Sequence, residues 1–336
     1  MNYIVLDLEW NQSPIGQAGE HPRMPFEIIE IGAAKINENY EFVEDFRRLI
    51  TPKLYPKLHK YVKELLSYDE KELRRKGVSF KKACAEFLEW CAEGEDGEKV
   101  DYIFCTWGPS DLTYLQTNMD FYRMDPLPFP LKFYDIQQIY AEKYTKDNSI
   151  CKLEKAVDFL NLEMERTFHE AVNDAYYTAM VLKEGKFGNI SDKYSIDLYK
   201  HPKTREDVII EYHDRKLDYI SEEFDSKKEA MKDQGIMSVK CPRCGRKVSI
   251  RIPWFPVNSG TEYSVGKCFL HGNMLASVKF KSASDSTSKV FVVKRIVPIS
   301  KKRYIEVCKK RDLVNAKKED RLQKYKAKLE TREGRA

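Results

Sequence analysis

The chain has 336 residues and a formal net charge of +5, and its residues are 42% hydrophobic, 12% aromatic and 33% charged. This length suits one full α/β domain and at least one smaller module, because single cores rarely grow beyond about 250 residues. The charged fraction excludes a membrane-embedded protein, and no stretch reaches the roughly 18 apolar residues of a membrane span. No signal-type apolar run precedes Asp7, so we expect a cytoplasmic protein without a membrane partner.

The first 187 residues alternate between strand and helix patterns. Three strand-like segments open the chain and predict a meander: 3–9, 28–36 and 42–49. Apolar residues at helical spacing recur in four later segments: 79–91, 136–144, 153–160 and 171–182. A buried strand is expected at 101–105, and a helix is expected to begin at Ser110 after it. This order predicts an α/β domain in which helices pack on a mixed sheet.

Three further segments follow the α/β domain of residues 1–187. Residues 188–235 are highly charged and are predicted to form a connecting arm, whereas 236–300 show strand patterns around cysteines. Residues 301–336 are predicted to form a basic helical tail, with 14 Lys or Arg against 6 Asp or Glu. Residues 1–300 then carry a net charge of about −3, so the basic character is assigned to the tail.

Two carboxylates stand together in the first strand. Asp7 and Glu9 are two residues apart, so on an extended strand both side chains point to one face, about 6.6 Å apart along it. Burying both without compensation costs about several kcal/mol, which favours a metal site or a solvent-facing site over a core position. A solvated strand end is the alternative.

His169 and Asp174 form a second polar pair, five residues apart. Residues at this spacing diverge by about 140° on one helix, so we expect His169 just before a helix and Asp174 inside it. A third acid, Asp111, opens the helix that follows the 101–105 strand. Taken alone, His169 is equally compatible with a helix cap or a surface histidine.

Together these residues resemble, in order and spacing, the three exonuclease motifs of the DEDDh (DnaQ-like) family: Asp7 and Glu9, Asp111, and His169 with Asp174. The resemblance covers residues 1–187 and is closest to the ERI-like and KapD-like subgroup, which is weighted toward RNA 3′ ends. It implies a ribonuclease H-like domain with a five-stranded mixed sheet flanked by helices. Trp10 and Cys151 depart from the family pattern.

The resemblance also implies a two-metal hydrolysis of phosphodiester bonds that releases nucleoside monophosphates from single-stranded 3′ ends, with RNA favoured over DNA. Asp7, Glu9, Asp111 and Asp174 would hold two Mg²⁺ or Mn²⁺ ions, since oxygen ligands suit these hard cations and disfavour zinc. Asp7 would bridge the two ions and Asp111 would act through water. His169 would accept a proton from the attacking water.

Side chains beside the motifs are candidates for contact with the terminal nucleotides. They are Leu8, Trp10, Trp107 and Phe168. Stacking of an aromatic ring on a base contributes about 1 to 3 kcal/mol. Packing in the core is the alternative for the three aromatic residues. Asp135, also acidic, is interpreted as a helix cap rather than a metal ligand.

The cysteines fall into two classes. Cys241, Cys244, Cys268 and His271 form two matching knuckles, each with two ligands three residues apart and a glycine next to it. This spacing is typical of a zinc-ribbon with one structural Zn²⁺, because four protein ligands leave no open position for water. A redox pair or unligated thiols are the alternative. The earlier cysteines, Cys84, Cys91, Cys105 and Cys151, are expected to pack in the core.

Three functions follow from these patterns. The first is an active exonuclease whose partner is nucleic acid. The second is a non-catalytic nucleic-acid-binding or scaffold protein on the same fold, in which the zinc module and tail bind the ligand. The third is a proofreading exonuclease associated with a DNA polymerase. Basic clusters in the tail fit salt-dependent capture of a substrate strand, and a solvated helix fits them equally.

Overall fold

The computed structural model describes residues 1–66, 68–94, 96–146, 149–213, 215–283 and 288–333. The chain divides into two compact units, residues 1–200 and 201–336, and each unit contains a six-stranded sheet. Within the described ranges, every helix is too short or too polar to cross a lipid bilayer.

The first unit is built on a mixed sheet with the strand order β3-β2-β1-β4-β5-β6. The strands are β1 Asn2–Gln12, β2 Phe26–Ile36, β3 Phe42–Leu49, β4 Tyr102–Thr106, β5 Lys132–Asp135 and β6 Ser195–Ile196. The first three form the predicted antiparallel meander, while β4 and β5 run parallel to β1. The expected five strands are joined by a sixth, two-residue edge strand, β6, which comes from the segment predicted to be a connecting arm.

Helices cover both faces of this sheet. They are α1 Lys60–Leu65, α2 Glu70–Lys76, α3 Phe80–Cys91, α4 Ser110–Phe121, α5 Ile136–Tyr144, α6 Leu153–Phe159 and α7 Ala171–Glu184. Helices α3 and α4 contribute to one hydrophobic cluster, and α5, α6 and α7 contribute to another. The mixed α/β class is confirmed, and the five helices predicted for this domain are present within two residues of their expected ends. Helices α1 and α2 were not predicted.

Side chains of strand β1 contribute alternately to the two hydrophobic clusters. Ile4, Leu6 and Leu8 enter the cluster with α3 and α4, whereas Tyr3 and Val5 enter the cluster with α5, α6 and α7. Because side chains alternate along a strand, the next two positions on the second face are residues 7 and 9. The core face of β1 therefore changes from apolar to acidic at residue 7, beside helix α7.

Gly32 lets helix α7 approach the sheet. It pairs with Asp7 across the β1–β2 ladder, and a Cβ atom added there would lie 2.1 Å from both the Ala171 carbonyl carbon and the Val172 nitrogen. Only a residue without a side chain permits this contact of backbone with backbone. Gly32 thus allows the first turn of α7 to contact β2 at the position that pairs with Asp7.

We expect Gly32→Ala to lower the free energy of unfolding by about 3 kcal/mol, since the α7 backbone must move away from the sheet to accept the added methyl group. Urea denaturation monitored by circular dichroism measures the change. Gly260→Ala is the control, because its added Cβ would meet only Asn258 Oδ1, at 3.9 Å. Equal stability of the two variants would contradict the close packing of α7 on Gly32.

The second unit is built on an antiparallel sheet with the strand order β7-β8-β12-β11-β10-β9. Its strands are β7 Ile209–Tyr212, β8 Leu217–Ile220, β9 Ser249–Asn258, β10 Thr261–Cys268, β11 Gly272–Ser282 and β12 Val290–Pro298, and its helices are α8 Lys227–Ala230, α9 Gln234–Met237 and α10 Lys301–Glu333. The predicted basic helix is α10, which packs Val307 into a cluster with β9, β10 and β11. Residues 334–336 of the predicted tail lie outside the described residues.

The prediction of a connecting arm over 188–235 is wrong for most of its length. Residues 209–220 form two strands of the second sheet, and β8 pairs with β12. Burial opposes ionisation of Asp218 in β8, but His213, Arg295 and Lys216 hold its pKa well below the ordinary value. The charge density that suggested an arm therefore belongs to an ion-paired sheet, and the β-rich module is larger than 236–300.

Candidate active site and metal centre

Strand β1 places Asp7 and Glu9 on the face that helix α7 covers. Both side chains are half-buried, and Glu9 lies opposite Glu30 on β2. The register shifts by one residue between Glu9 and Trp10, and the pairing then continues to Gln12. The two carboxylates therefore lie on one face of the strand directly before this irregularity, and their shared face is the one expected from their spacing.

Helix α7 begins between His169 and Asp174. His169 lies two residues before the helix with φ of 67°, and Asp174 lies in the first helical turn, as predicted. The backbone N–H of His169 donates to Oδ2 of Asp174 at 3.3 Å, and the imidazole side chain is exposed. A positive φ is costly for a residue with a side chain and is common at functional sites. This turn holds the histidine beside the helix that carries the acid.

The fold brings Asp7, Glu9 and Asp174 together, with one carboxylate oxygen from each within 4.8 Å of the others. Asp111, in the first turn of α4, is buried and lies outside this group of three. Of the neighbouring carboxylates, Asp111 nonetheless has the largest effect in raising the pKa of Asp7. The negative charges of Asp111, Asp174 and Glu9 therefore all influence the carboxylate of Asp7.

The pKa values of all four acids are raised above their usual range. Burial is the main cause at each, and it combines with neighbouring carboxylates to raise the pKa of Asp7 well above its usual value and that of Glu9 to about 8. Burial raises the pKa of Asp111 and of Asp174 to about 7, although backbone N–H groups act in the opposite direction at both. The site is thus strongly unfavourable for four negative charges unless cations are bound.

The donor set fits divalent cations. Oδ1 of Asp174 is buried and has no hydrogen-bond partner among the described residues, which leaves a carboxylate oxygen free to coordinate an ion. The side-chain oxygens of Asp7, Glu9 and Asp174 form an oxygen-only set, which suits Mg²⁺ or Mn²⁺ better than zinc. A cation between these oxygens would remove the repulsion that raises their pKa values.

A separate cluster of soft ligands lies in the second unit. Cys241, Cys244, Cys268 and His271 bring one ligand atom each within 4.8 Å of one another. Sγ of Cys244 is 3.7 Å from Sγ of Cys268, and Nδ1 of His271 is 3.4 Å from Sγ of Cys241. Tetrahedral zinc with ordinary bond lengths requires edges of about 3.7 Å between sulfurs and about 3.5 Å between sulfur and nitrogen. The two separations given are close to these values, so the four side chains could hold one zinc ion.

Backbone groups of the second knuckle favour the thiolate that zinc requires. Burial opposes ionisation of Cys268, but the N–H groups of Leu270 and His271 lower its pKa to about 6. The other expectation for cysteines is confirmed in part: Cys84, Cys91 and Cys105 are fully buried, while Cys151 is half-buried against the core. All eight cysteines are free thiols.

Comparison with known proteins establishes the family. The model of the exonuclease family RNase_T matches residues 4–182, more than half of the chain. The chain belongs to this exonuclease family. A curated relative, "Probable 3'-5' exonuclease KapD" of Bacillus subtilis (strain 168), is 30% identical over 172 residues, covering 51% of this chain and 78% of the relative. The exonuclease predicted from the motifs is thereby confirmed at the level of the family.

Two solved structures are among those similar to the exonuclease chain. The nuclease domain of 3'hExo, described as a DEDDh family member bound to rAMP, has a TM-score of 0.47 and 21% identity, covering 56% of this chain and 94% of that one. Exonuclease I has a TM-score of 0.45 and 14% identity, covering 79% of this chain and 55% of that one. The family assignment depends on the sequence matches alone.

An ion-paired network that the sequence analysis missed adjoins the exonuclease site. Glu30 is fully buried, and Nε of Arg47 lies 2.9 Å from its Oε1. The same guanidinium reaches Glu170, the neighbour of His169, with Nη1 3.0 Å from Oε2. Arg47 thus joins the strand opposite Glu9 to the turn that carries the histidine. The sequence signal for this network was Glu30, an acidic residue within the largely apolar segment 28–36.

The candidates for nucleotide contact are mostly engaged in packing. Leu8 is 3% exposed and its side chain packs in the core; contact of this residue with a substrate stays a prediction. Trp10 packs on Tyr114 with ring centroids 4.5 Å apart, and Phe168 stacks on Tyr177 at the same distance. These ring contacts give Trp10 and Phe168 a role in packing. All three aromatic candidates are half-buried, so part of each side chain is accessible.

Trp107 and Asp135 have clear structural partners. The indole N–H of Trp107 donates to the Cys151 carbonyl at 3.3 Å, and the ring lies against Tyr140. Asp135 accepts a hydrogen bond from the Gln138 backbone N–H at 2.9 Å and caps helix α5, as interpreted from the sequence. Neither contact requires a bound nucleotide or metal.

We expect the metal-free protein to lose stability as the pH rises from about 4 to 8. The folded-state pKa values of Glu9, Asp111 and Asp174 are raised to about 7 or 8, so in this window the folded protein binds more protons than the unfolded chain. Melting temperatures between pH 5 and 8 measure the loss. Asp174→Asn should flatten the profile, whereas Asn at the exposed Asp125 should not. A profile that rises with pH in the metal-free wild type would contradict the raised pKa values.

Proposed function

We propose that this chain is a metal-dependent 3′-to-5′ exonuclease that releases nucleoside monophosphates from single-stranded 3′ ends, with RNA favoured over DNA. The observation that carries the proposal is the convergence of Asp7, Glu9 and Asp174 within 4.8 Å, beside Asp111 and the turn of His169. Polarity is supported by the name of the KapD relative, and the preference for RNA by the resemblance to the ERI-like and KapD-like subgroup.

Each residue has a proposed role. Asp7, Glu9 and Asp174 would hold two Mg²⁺ or Mn²⁺ ions through their carboxylate oxygens, and Asp111 would support the same site. The bound ions would activate water and neutralise charge at the scissile phosphate. His169, exposed at the start of α7, would accept the proton of the attacking water, and Arg47 would keep the histidine turn in place through Glu170.

The second unit is proposed to contain one structural Zn²⁺ bound by Cys241, Cys244, Cys268 and His271. The fit of the ligand separations to a tetrahedron supports it. Four protein ligands leave no position for a reacting water, so the proposed role is structural: the ion would hold the two knuckles together at the edge of the cluster to which both contribute.

The proposed function is tested with 5′-labelled RNA and DNA strands of matched sequence, each with a free or a blocked 3′ end, in Mg²⁺ or Mn²⁺. We expect a ladder that shortens from the free 3′ end, faster on RNA, with mononucleotides as the product. The blocked strands are the control for polarity. Tight binding without release of mononucleotides in either metal would contradict the exonuclease and support the non-catalytic alternative.

A further inference from the structure

The two units carry opposite charges. Residues 1–200 contain 26 Lys or Arg and 35 Asp or Glu, a net charge of −9, whereas residues 201–336 contain 32 and 18, a net charge of +14. A net charge of −9 gives a polyanionic strand no long-range attraction, so such attraction is expected from the second unit rather than from the first. The basic character is not a property of the tail alone, which corrects the expectation from the sequence.

Positive charge is concentrated around the knuckles. The segment 238–282 contains eight Lys or Arg and a single acid, Glu262. Lys240 and Lys247 are exposed and face each other across a β-bridge at the base of the first knuckle. Like charges directly opposite on paired strands are destabilising unless an anion lies near them. A bound polyanion would therefore relieve the repulsion between these two lysines.

The second knuckle adds an exposed aromatic ring to this charge. Phe269 is 96% exposed and Leu270 is 57% exposed, and they occupy the two positions between the ligands Cys268 and His271. Arg243 holds the corresponding exposed position of the first knuckle, next to Cys244. Sγ of Cys244 and Sγ of Cys268 are 3.7 Å apart, so the turns that carry Arg243 and Phe269 adjoin each other.

The surrounding strands extend the same surface. Arg246 and Lys247 follow the first knuckle, and Lys267 precedes the second; all three side chains are exposed. Among the described residues, none of these cations, nor Arg243, is paired with a carboxylate. The knuckle face, defined as Arg243, Arg246, Lys247, Lys267, Phe269 and Leu270, therefore combines unpaired positive charge with an accessible aromatic ring.

We propose that the knuckle face binds single-stranded nucleic acid. The cations would contact successive phosphates, and the Phe269 ring would stack on an unpaired base. A duplex keeps its base faces covered by stacking, so an exposed ring selects a single strand over a helix. The inference rests on the proposed function and deepens it by naming a surface of the second unit that binds the same class of substrate.

The test measures binding in the full-length Asp7→Asn protein, which separates strand binding from hydrolysis. The probe is a 5′-fluorescein single strand of 20 nucleotides, and its anisotropy is followed from 50 to 200 mM salt. We expect Phe269→Ala to weaken binding by about tenfold, and Phe269→Trp to restore it. The triple change of Arg243, Arg246 and Lys247 to Gln should make the slope of log K against log salt shallower by about 2.

Two controls keep the result specific to the knuckle face. Changing Lys71, Arg74 and Arg75 to Gln removes the same charge from an exposed part of the first unit and should leave the slope unchanged. Zinc content and melting temperature should be unaffected by Phe269→Ala, since the ring is almost fully exposed. Equal losses with the two triple variants, or equal affinity for the strand and a matched duplex, would overturn the proposal. Binding of a protein, and of no nucleic acid, at the knuckle face would also overturn the proposal.

The outcome is distinguishable from that of the proposed function. If the wild-type protein releases no mononucleotides while Phe269→Ala weakens strand binding, the exonuclease proposal fails and the knuckle face stands. If the wild-type protein degrades strands while the knuckle variants bind like the control, the knuckle face fails and the exonuclease proposal stands.

Discussion

Asp7→Asn is expected to lower the rate of mononucleotide release by about 10³-fold or more while the protein remains folded. Asp7 lies within 4.8 Å of Glu9 and Asp174, and the charges of Asp111, Asp174 and Glu9 all raise its pKa. An amide of the same shape removes one charge from the centre of this group. It also removes an oxygen that would hold the divalent cations, a loss that costs about several kcal/mol of transition-state stabilisation.

The same substitution is expected to raise the melting temperature of the metal-free protein at pH 8, since one of several repelling, buried carboxylates has been removed. Loss of activity together with a gain in stability distinguishes a missing ligand from misfolding. Asn at the exposed Asp125 is the matched control and should change neither quantity. Wild-type rates for Asp7→Asn would exclude the carboxylate group as the site of hydrolysis.

Cys241→Ser is expected to eliminate bound zinc and unfold the second unit. Structural zinc sites contribute about 10 to 16 kcal/mol of apparent binding free energy at neutral pH, which is comparable to the stability of an entire domain. Sγ of Cys241 lies 3.4 Å from Nδ1 of His271, so its loss breaks the link between the two knuckles. Zinc content of the purified full-length protein, with thermal unfolding monitored by circular dichroism, measures the effect.

Cys308→Ser is the matched control, because Cys308 is a half-buried thiol in the same unit that lies outside the ligand cluster. This variant should retain one zinc ion per chain and unfold near the wild-type temperature. A wild-type protein purified without zinc and unchanged on adding it would rule out a structural zinc ion. So would a Cys241→Ser protein that unfolds like the control.

Sequence patterns by themselves predicted four strands and five helices of the first unit, but not α1, α2, β5 or β6, and they identified the acids of its site. The short apolar run of β1 and the helical spacing in α3, α5, α6 and α7 are local properties, so they are readable along the chain. The placement of His169 before a helix and of Asp174 within it followed from the geometry of one helical turn. The knuckle spacing was equally local, and the structure brings its four ligands together.

Tertiary structure decided what depends on residues distant in the chain. The charged segment 209–220 forms strands because Arg295, 77 residues from Asp218, supplies an ion pair that no local pattern reveals. Burial of Leu8 and the bridge from Glu30 through Arg47 to Glu170 likewise depend on which faces the sheet covers. Local periodicity is a property of the backbone, but burial and charge pairing are set by contacts between segments, and only the folded chain brings those segments together.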